Sequence, residues 1–228
     1  VVAAHRPAAV VNLAYVLGAE AEADVYAATQ VNVVGMLNVL EACRLFDVER
    51  CVYASSIAVY GDQASWGDRE LVEADHGRPA ILYGWHKQIN EATAARYQKN
   101  HGLRCLGLRI SSVYGPGRVV GLTAAITQMI ESAARGEEVR CPYPPDYESS
   151  LVHVDDVCVA LAELVTAADP THDVYNTGGE SSTVAQVADM IRVLHPQVEV
   201  KFEPDGVHRP HVSRVSGARL REEFRLQM

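Results

Sequence analysis

Short apolar runs alternate with helix-length segments through the first half of this chain, and that alternation limits the fold more than any other feature of its 228 residues. Ala9-Val10-Val11-Asn12-Leu13-Ala14 reads as a buried strand, Cys51-Val52-Tyr53-Ala54 as a second, and Leu103 to Ile110 as a third. From about Asp24 to Phe46, apolar residues such as Val31, Val34, Leu37 and Leu40 recur at helical spacing, and a further helix is predicted from about Tyr83 to Asn100. Connections of this length are crossovers rather than hairpins, so the strands pair in parallel. A parallel sheet must be covered on both faces, which predicts an α/β fold with a Rossmann-like doubly wound sheet.

The second half is more mixed. A helix is expected around 122–134, then a loop rich in proline (Pro142, Pro144, Pro145), then a strand Leu151-Val152-His153-Val154 leading to a helix with Asp155 as its candidate N-cap. Thr183-Val184-Ala185-Gln186 has capping-box spacing and opens a helix that ends before Pro196, and Val198 to Phe202 alternates like a strand. The net charge of −9 argues against a general nucleic-acid or anionic-membrane binder and leaves a local basic pocket for phosphate open. No apolar run approaches the ~20 residues of a membrane span and no leader pattern is present, so a cytoplasmic protein is expected. The five cysteines are scattered without C-x-x-C spacing and read as small buried residues, and His153, Asp155 and Asp156 are read as core and capping residues, so no metal site is assigned.

Tyr83-Gly84-Trp85-His86-Lys87 carries the chemistry. A tyrosine and a lysine four apart on a helix share one face, where the ammonium favours the phenolate and Tyr83 becomes a general acid/base for a hydroxyl or carbonyl substrate. Taken alone, the pair reads more readily as a packed tyrosine beside an exposed lysine. Ser55 and Ser56 follow the second strand, at the carboxyl end of the sheet where ligands of such folds bind. His86 falls on another helical face, in solvent or at an interface, and Trp85 is read as helix packing. The cluster His208, Arg209, His211 and Arg214 is read as a solvated loop.

Five segments occur in order: S-S-x-A-V-Y-G from Ser55, Y-x-x-x-K from Tyr83, L-R-x-x-x-V-Y-G-P-G from Leu108 to Gly117, H-V-D-D-V from His153, and Y-N-T-G-G from Tyr175. With Asn12-Leu13-Ala14 and Val31-Asn32-Val33-Val34-Gly35, the series resembles the extended short-chain dehydrogenase/reductases, the NAD-dependent epimerase/dehydratase family. The resemblance implies Tyr83 as acid/base, Lys87 lowering its pKa and bonding the nicotinamide ribose, and Ser56 as the substrate-orienting hydroxyl. It implies cofactor contacts from Leu13, Ala14, Ser55 and Ile110 as well, substrate contacts from Ser112 and Arg118, and a structural role for Asn32. For Arg118, an anionic substrate group and plain solvent both stay open. The cofactor would be NAD or NADP, with NAD favoured, and the substrate a small molecule oxidised, or epimerised, at a carbinol carbon. Residues 1–118 would be the remainder of the cofactor domain and 119–228 mainly a substrate-binding cap, with 149–168 returning to the cofactor layer. Helices around 24–46 and 83–100 would pair in a homodimer.

The chain also departs from that pattern. No G-x-x-G-x-x-G phosphate loop occurs, and the chain begins at Val1 without methionine, close to an apolar strand. Either N-terminal strands lie outside this sequence, which we expect, or dinucleotide binding has been lost and the protein is a non-catalytic metabolite- or partner-binding relative. Ile57 and Ala58 stand where 4,6-dehydratases carry an Asp-Glu pair; neither transfers protons, which argues against dehydration. Ser149-Ser150 stand where nucleotide-sugar members place an arginine, and Ser112 replaces an asparagine. A sugar, a nucleotide sugar or a smaller polar hydroxy substrate all remain open.

Overall fold

The computed structural model describes residues 1–121, 124–203 and 211–226. Its strands are β1 (Ala9–Asn12), β2 (Arg50–Ser56), β3 (Arg104–Ile110), β4 (Ser112–Tyr114), β5 (Val139–Cys141), β6 (Glu148–His153), β7 (Val174–Asn176), β8 (Glu180–Thr183) and β9 (Val200–Phe202). Four of them form a parallel sheet in the order β1-β2-β3-β7, with Val10 opposite Cys51 and Cys51 opposite Cys105. The predicted Rossmann-like α/β fold is therefore observed.

The two-residue period of the strands explains the double winding. Cys51, Tyr53 and Cys105 point to one face and pack with Met36, Leu40, Cys43 and Ala94 from the helices Gly35–Leu45 and Leu82–His101. Val52, Leu106 and Leu108 point to the other, against Val157, Ala160 and Leu164 of the helix Val154–Thr166 and Leu220 of the helix Ala218–Phe224. Strands buried on both faces read as continuous apolar runs, which is the pattern the sequence shows.

Outside this layer, β4 pairs in parallel with β6 and β6 pairs antiparallel with β8, while β5 pairs with β9. The helices Ala124–Ala134 and Val184–Leu194 bury Met129, Val187 and Ile191 against these short strands. Thr183 and Gln186 form both bonds of the expected capping box. More of the second half lies on the main layer than 149–168: β7 and the helix Ala218–Phe224 pack there too.

Several local expectations are corrected. β1 stops at Asn12. The stretch expected as one helix from Asp24 contains a π-helical turn over Gln30–Val34, between Val25–Thr29 and Gly35–Leu45. His153, not Asp155, caps the helix Val154–Thr166, its ring accepting from the Asp155 N–H. Cys158 is exposed on that helix, whereas the other four cysteines are buried. Trp85 is 51% exposed. No described helix is long and apolar enough to cross a membrane.

Candidate active site

The carboxyl ends of β2 and β3 open onto a cleft of about 890 Å³, walled on the far side by the segment after β4 and by Tyr143, Tyr147 and Ser149. The helix Leu82–His101 starts at its mouth. Its N-cap residue, Ile81, has no side chain to bond the free N–H groups; instead the Leu82 N–H donates to Glu22 Oε1 at 2.7 Å. Gly84 allows the helix to lie against the turn Ile57–Tyr60, since a Cβ there would sit 2.5 Å from the Ala58 carbonyl oxygen.

That placement sets Tyr83 in the cleft wall, buried, with its ring 5.8 Å from the Tyr15 ring and Ser56 lining the same cleft. Ser56 Oγ also accepts from the Ala58 N–H at 3.1 Å, which fixes the hydroxyl at the strand end. One turn on, Lys87 is 3% exposed; Nζ donates to the Ala54 carbonyl at 2.6 Å and lies 4.7 Å from the Tyr15 ring centre and 5.3 Å from that of Tyr83. Desolvation pulls the Lys87 pKa down to about 8 against the field of Glu91. The balance on Tyr83 runs opposite to the expected lowering. Burial, helped by Tyr15, raises its pKa, while the nearby Ser56 side chain and the field of Arg118 lower it. Tyr83 is thus a neutral phenol at ordinary pH, with a proton to give.

The other predicted residues divide. Ser56, Ile110, Ser112 and Arg118 line the same cleft as Tyr83. Ser55 borders it, but its hydroxyl donates to Glu91 Oε1, which also accepts from Arg109 Nε at 2.9 Å. Leu13 and Ala14 are exposed and do not line the cleft; Tyr15 and Leu17 take that place. The reason is local: β1 ends two residues early, and the Ala14 N–H turns back to Asn12 Oδ1 at 3.2 Å.

Asn32, on the π-helical turn, holds the loop carrying Tyr15. Its side chain accepts from the Val16 N–H at 2.7 Å and donates to the Val16 carbonyl at 3.0 Å. His86 is a correction: it is 3% exposed rather than in solvent, with Nδ1 3.3 Å from Asn32 Nδ2 and Nε2 3.2 Å from Thr29 Oγ1. Of the downstream basic cluster, Arg214 is ion-paired with Glu148 and Asp68, and His211 reaches the cleft, stacked on Tyr147. His208 and Arg209 lie outside the described residues. Sequence reasoning missed Tyr15 and the Glu91–Arg109 pair. The first had a signal, an aromatic just past the strand end; the second, eighteen residues apart, had none.

The geometry agrees with known proteins. Residues 1–178 match the model of the NAD dependent epimerase/dehydratase family. UDP-glucuronate 4-epimerase 4 of Arabidopsis thaliana is 30% identical over 202 residues, covering 78% of this chain and 43% of that protein. The GalE-like L-threonine dehydrogenase from Cupriavidus necator in its holo form superposes with a TM-score of 0.86 at 27% identity, over 98% of this chain and 74% of that one. The UDP-glucose 4-epimerase of Thermus thermophilus, solved in complex with NAD, gives 0.80 at 27% identity, over 97% and 73%. The chain spans about half the length of the first curated relatives it matches. With its sheet order, its Tyr83–Lys87 helix and more than three quarters of its length inside one family model, this chain belongs to the NAD dependent epimerase/dehydratase family.

Proposed function

We propose that the protein is a nicotinamide-dependent oxidoreductase or epimerase that works at a carbinol or carbonyl carbon of a polar hydroxy substrate, a sugar among the candidates. The observation that carries this is that Tyr83 and Ser56 line one cleft at the carboxyl ends of β2 and β3, with a buried lysine one helical turn from Tyr83. Two hydroxyls in one cleft suit a single substrate oxygen.

The residues present fit one end of a dinucleotide. Tyr83 and Lys87 offer a phenol and an ammonium at the carboxyl ends of parallel strands, where a nicotinamide ribose would be held; the 228 residues contain no glycine-rich loop for the pyrophosphate. The family description and the NAD complex of the Thermus thermophilus relative favour NAD over NADP. When bound, the nicotinamide supplies the hydride chemistry. The protein's own residues govern the proton. In the reducing direction neutral Tyr83 donates its proton to the carbonyl oxygen while Ser56 supplies a second hydrogen bond. The phenolate that remains lies beside Lys87, whose positive charge stabilises it. In the oxidising direction the same phenolate takes the substrate proton.

By the same family likeness we propose a homodimer through the helices Gly35–Leu45 and Leu82–His101. Tyr26, Val31, Leu37, Trp85 and Ile89 leave apolar side chains exposed on and just before these helices.

The deciding experiment measures NAD binding by calorimetry and absorbance-coupled turnover over a panel of sugars, nucleotide sugars and hydroxy acids. A Tyr83→Phe variant is expected to bind NAD like the wild type and to lose at least about a hundredfold in kcat, within the range for general acid/base groups. Full turnover in Tyr83→Phe sinks the reading, and absence of any dinucleotide binding moves the protein to the non-catalytic class.

A further inference from the structure

Lys87 is 3% exposed, yet its ammonium has three N–H donors, and its hydrogen bond among the described residues goes to the Ala54 carbonyl at 2.6 Å. Two aromatic rings stand where water would otherwise be. Nζ lies 5.3 Å from the centre of the Tyr83 ring and 4.7 Å from that of Tyr15, within cation–π range of both. Tyr83 comes from one turn back on the same helix. Tyr15 comes from the loop after β1, and that loop is pinned on either side of the ring. The Ala14 N–H donates to Asn12 Oδ1 at 3.2 Å, and the Val16 N–H and carbonyl are both held by the Asn32 amide, at 2.7 and 3.0 Å. Tyr15, Ala54 and Tyr83 all line the cleft.

We propose that Tyr15 is a positioning residue of the proton-transfer site: its ring, fixed by the Asn32 clamp, holds the Lys87 ammonium out of water, on the Ala54 carbonyl and beside Tyr83. The inference rests on the proposed use of Tyr83 as acid/base. A phenolate formed on Tyr83 then faces a cation with no water layer between them, where the attraction is stronger than in a solvated pair. The contact is made by the face of the Tyr15 ring, so its hydroxyl is dispensable to this role. The charged and titratable groups near Lys87 on other sides do not supply the cover. His86 and Glu91 share its helix, and the field of Glu91 opposes the desolvation that lowers the lysine's pKa. Arg109 of β3 is turned onto Glu91.

The test is a pH titration of the lysine side chains by carbon-13 NMR, on the protein without substrate. The chain has three lysines, Lys87, Lys99 and Lys201, and Lys87→Met identifies the Lys87 signal. Wild-type Lys87 is expected to titrate at about 8. Tyr15→Phe keeps the ring face and is expected to leave that value in place. Tyr15→Ala admits water and is expected to raise it past about 9, toward the ordinary lysine value of about 10.4. Tyr15→Gln is expected to raise it too, by placing an amide oxygen at the ammonium, and it carries the test should the alanine variant not fold. An ordinary value for wild-type Lys87, a rise in Tyr15→Phe equal to that in Tyr15→Ala, or no rise in either folded variant would each overturn the assignment. With a substrate from the panel above, kcat is expected to fall about tenfold or more in Tyr15→Ala and to hold in Tyr15→Phe; an unchanged kcat in Tyr15→Ala would overturn it as well. The titration needs no turnover, so it fails only if Tyr15 does not cover Lys87, whereas the panel fails only if the hydride reading is wrong.

Discussion

Asn32 Nδ2 lies 3.3 Å from Nδ1 of His86, and this contact fixes the state of both residues. The amide nitrogen only donates, so Nδ1 must accept and the proton sits on Nε2, facing Thr29 Oγ1 at 3.2 Å. Asn32 is thereby oriented with its oxygen on the Val16 N–H, and the loop bearing Tyr15 is held against Tyr83. The middle of the Y-x-x-x-K segment supports the cleft wall through a second helix.

Protonating His86 would set a donor against a donor. Its pKa is lowered by burial and by Lys87, with Glu22 opposing. The unfolded chain therefore binds more protons than the folded one below the ordinary histidine range, and stability falls as pH drops through that window. Replacing His86 by Gln is expected to flatten this part of the pH dependence in thermal melts at pH 5 to 7, a range that spans the ordinary histidine pKa of about 6.5. It should raise KM more than it lowers kcat, since Tyr83 itself is untouched. A melt profile that keeps its wild-type slope would contradict the assignment.

Removing the clamp itself costs more. In Asn32→Ala the Val16 N–H and carbonyl lose their side-chain partner, and two partly buried backbone groups are left to find water. A loss of about 1–3 kcal/mol is expected by denaturant titration, with faster amide exchange at 15–17 than elsewhere in the sheet.

Lys87 trades stability for chemistry. Its pKa of about 8 is below the ordinary lysine value, so from pH 8 upward to that value the unfolded state binds more protons and stability rises. Below pH 8 the buried charge is a standing cost, offset in part by the Ala54 carbonyl and the Tyr15 face. Lys87→Met is therefore expected to melt higher at neutral pH, by about 1–2 kcal/mol, while turnover collapses. In the wild type, kcat should decline as pH rises past about 8. A destabilised Lys87→Met variant would show that the ammonium is a net structural asset.

How far the sequence carried these conclusions depended on strand period and strand length. The faces of β2 and β3 were legible because long apolar runs have one solution in a parallel sheet. Tyr83 and Lys87 were legible because one helical turn is a fixed geometry. The sequence places Ser55 and Ser56 after the strand, but β2 runs through both, so their side chains part: Ser56 to the Ala58 N–H, Ser55 to Glu91. β4, β5, β7 and β9 have three residues each, too short for a period to show, and their pairing is set by contacts far along the chain.

Glu91 and Arg109 sit about one-tenth exposed, joined by two bonds, with Tyr60 and Ser55 completing the network. Breaking one side leaves the other charge buried. Glu91→Gln is expected to cost about 3–5 kcal/mol, whereas the double change Glu91→Leu with Arg109→Met recovers much of it. Denaturant unfolding of the three variants checks this; equal losses in single and double variants would mean that the pair itself, not the orphaned charge, carries the energy.

The apolar residues left on the helices give the last test. Trp85 and Ile89 are one turn apart and about half exposed, and Tyr26 is 77% exposed just ahead of the neighbouring helix. Large exposed apolar patches on monomeric proteins often mark an interaction surface. A two-fold interface is isologous, so each protomer would present the same helices to the other and one charge added per chain is counted twice. Trp85→Glu is expected to turn a dimer into a monomer in light-scattering chromatography without loss of the folded signal in circular dichroism. Because Trp85 is half exposed in its own chain, unfolding on this substitution would point to a monomer that needs Trp85 for itself. A wild-type protein that elutes as a monomer at tens of micromolar would remove the dimer outright.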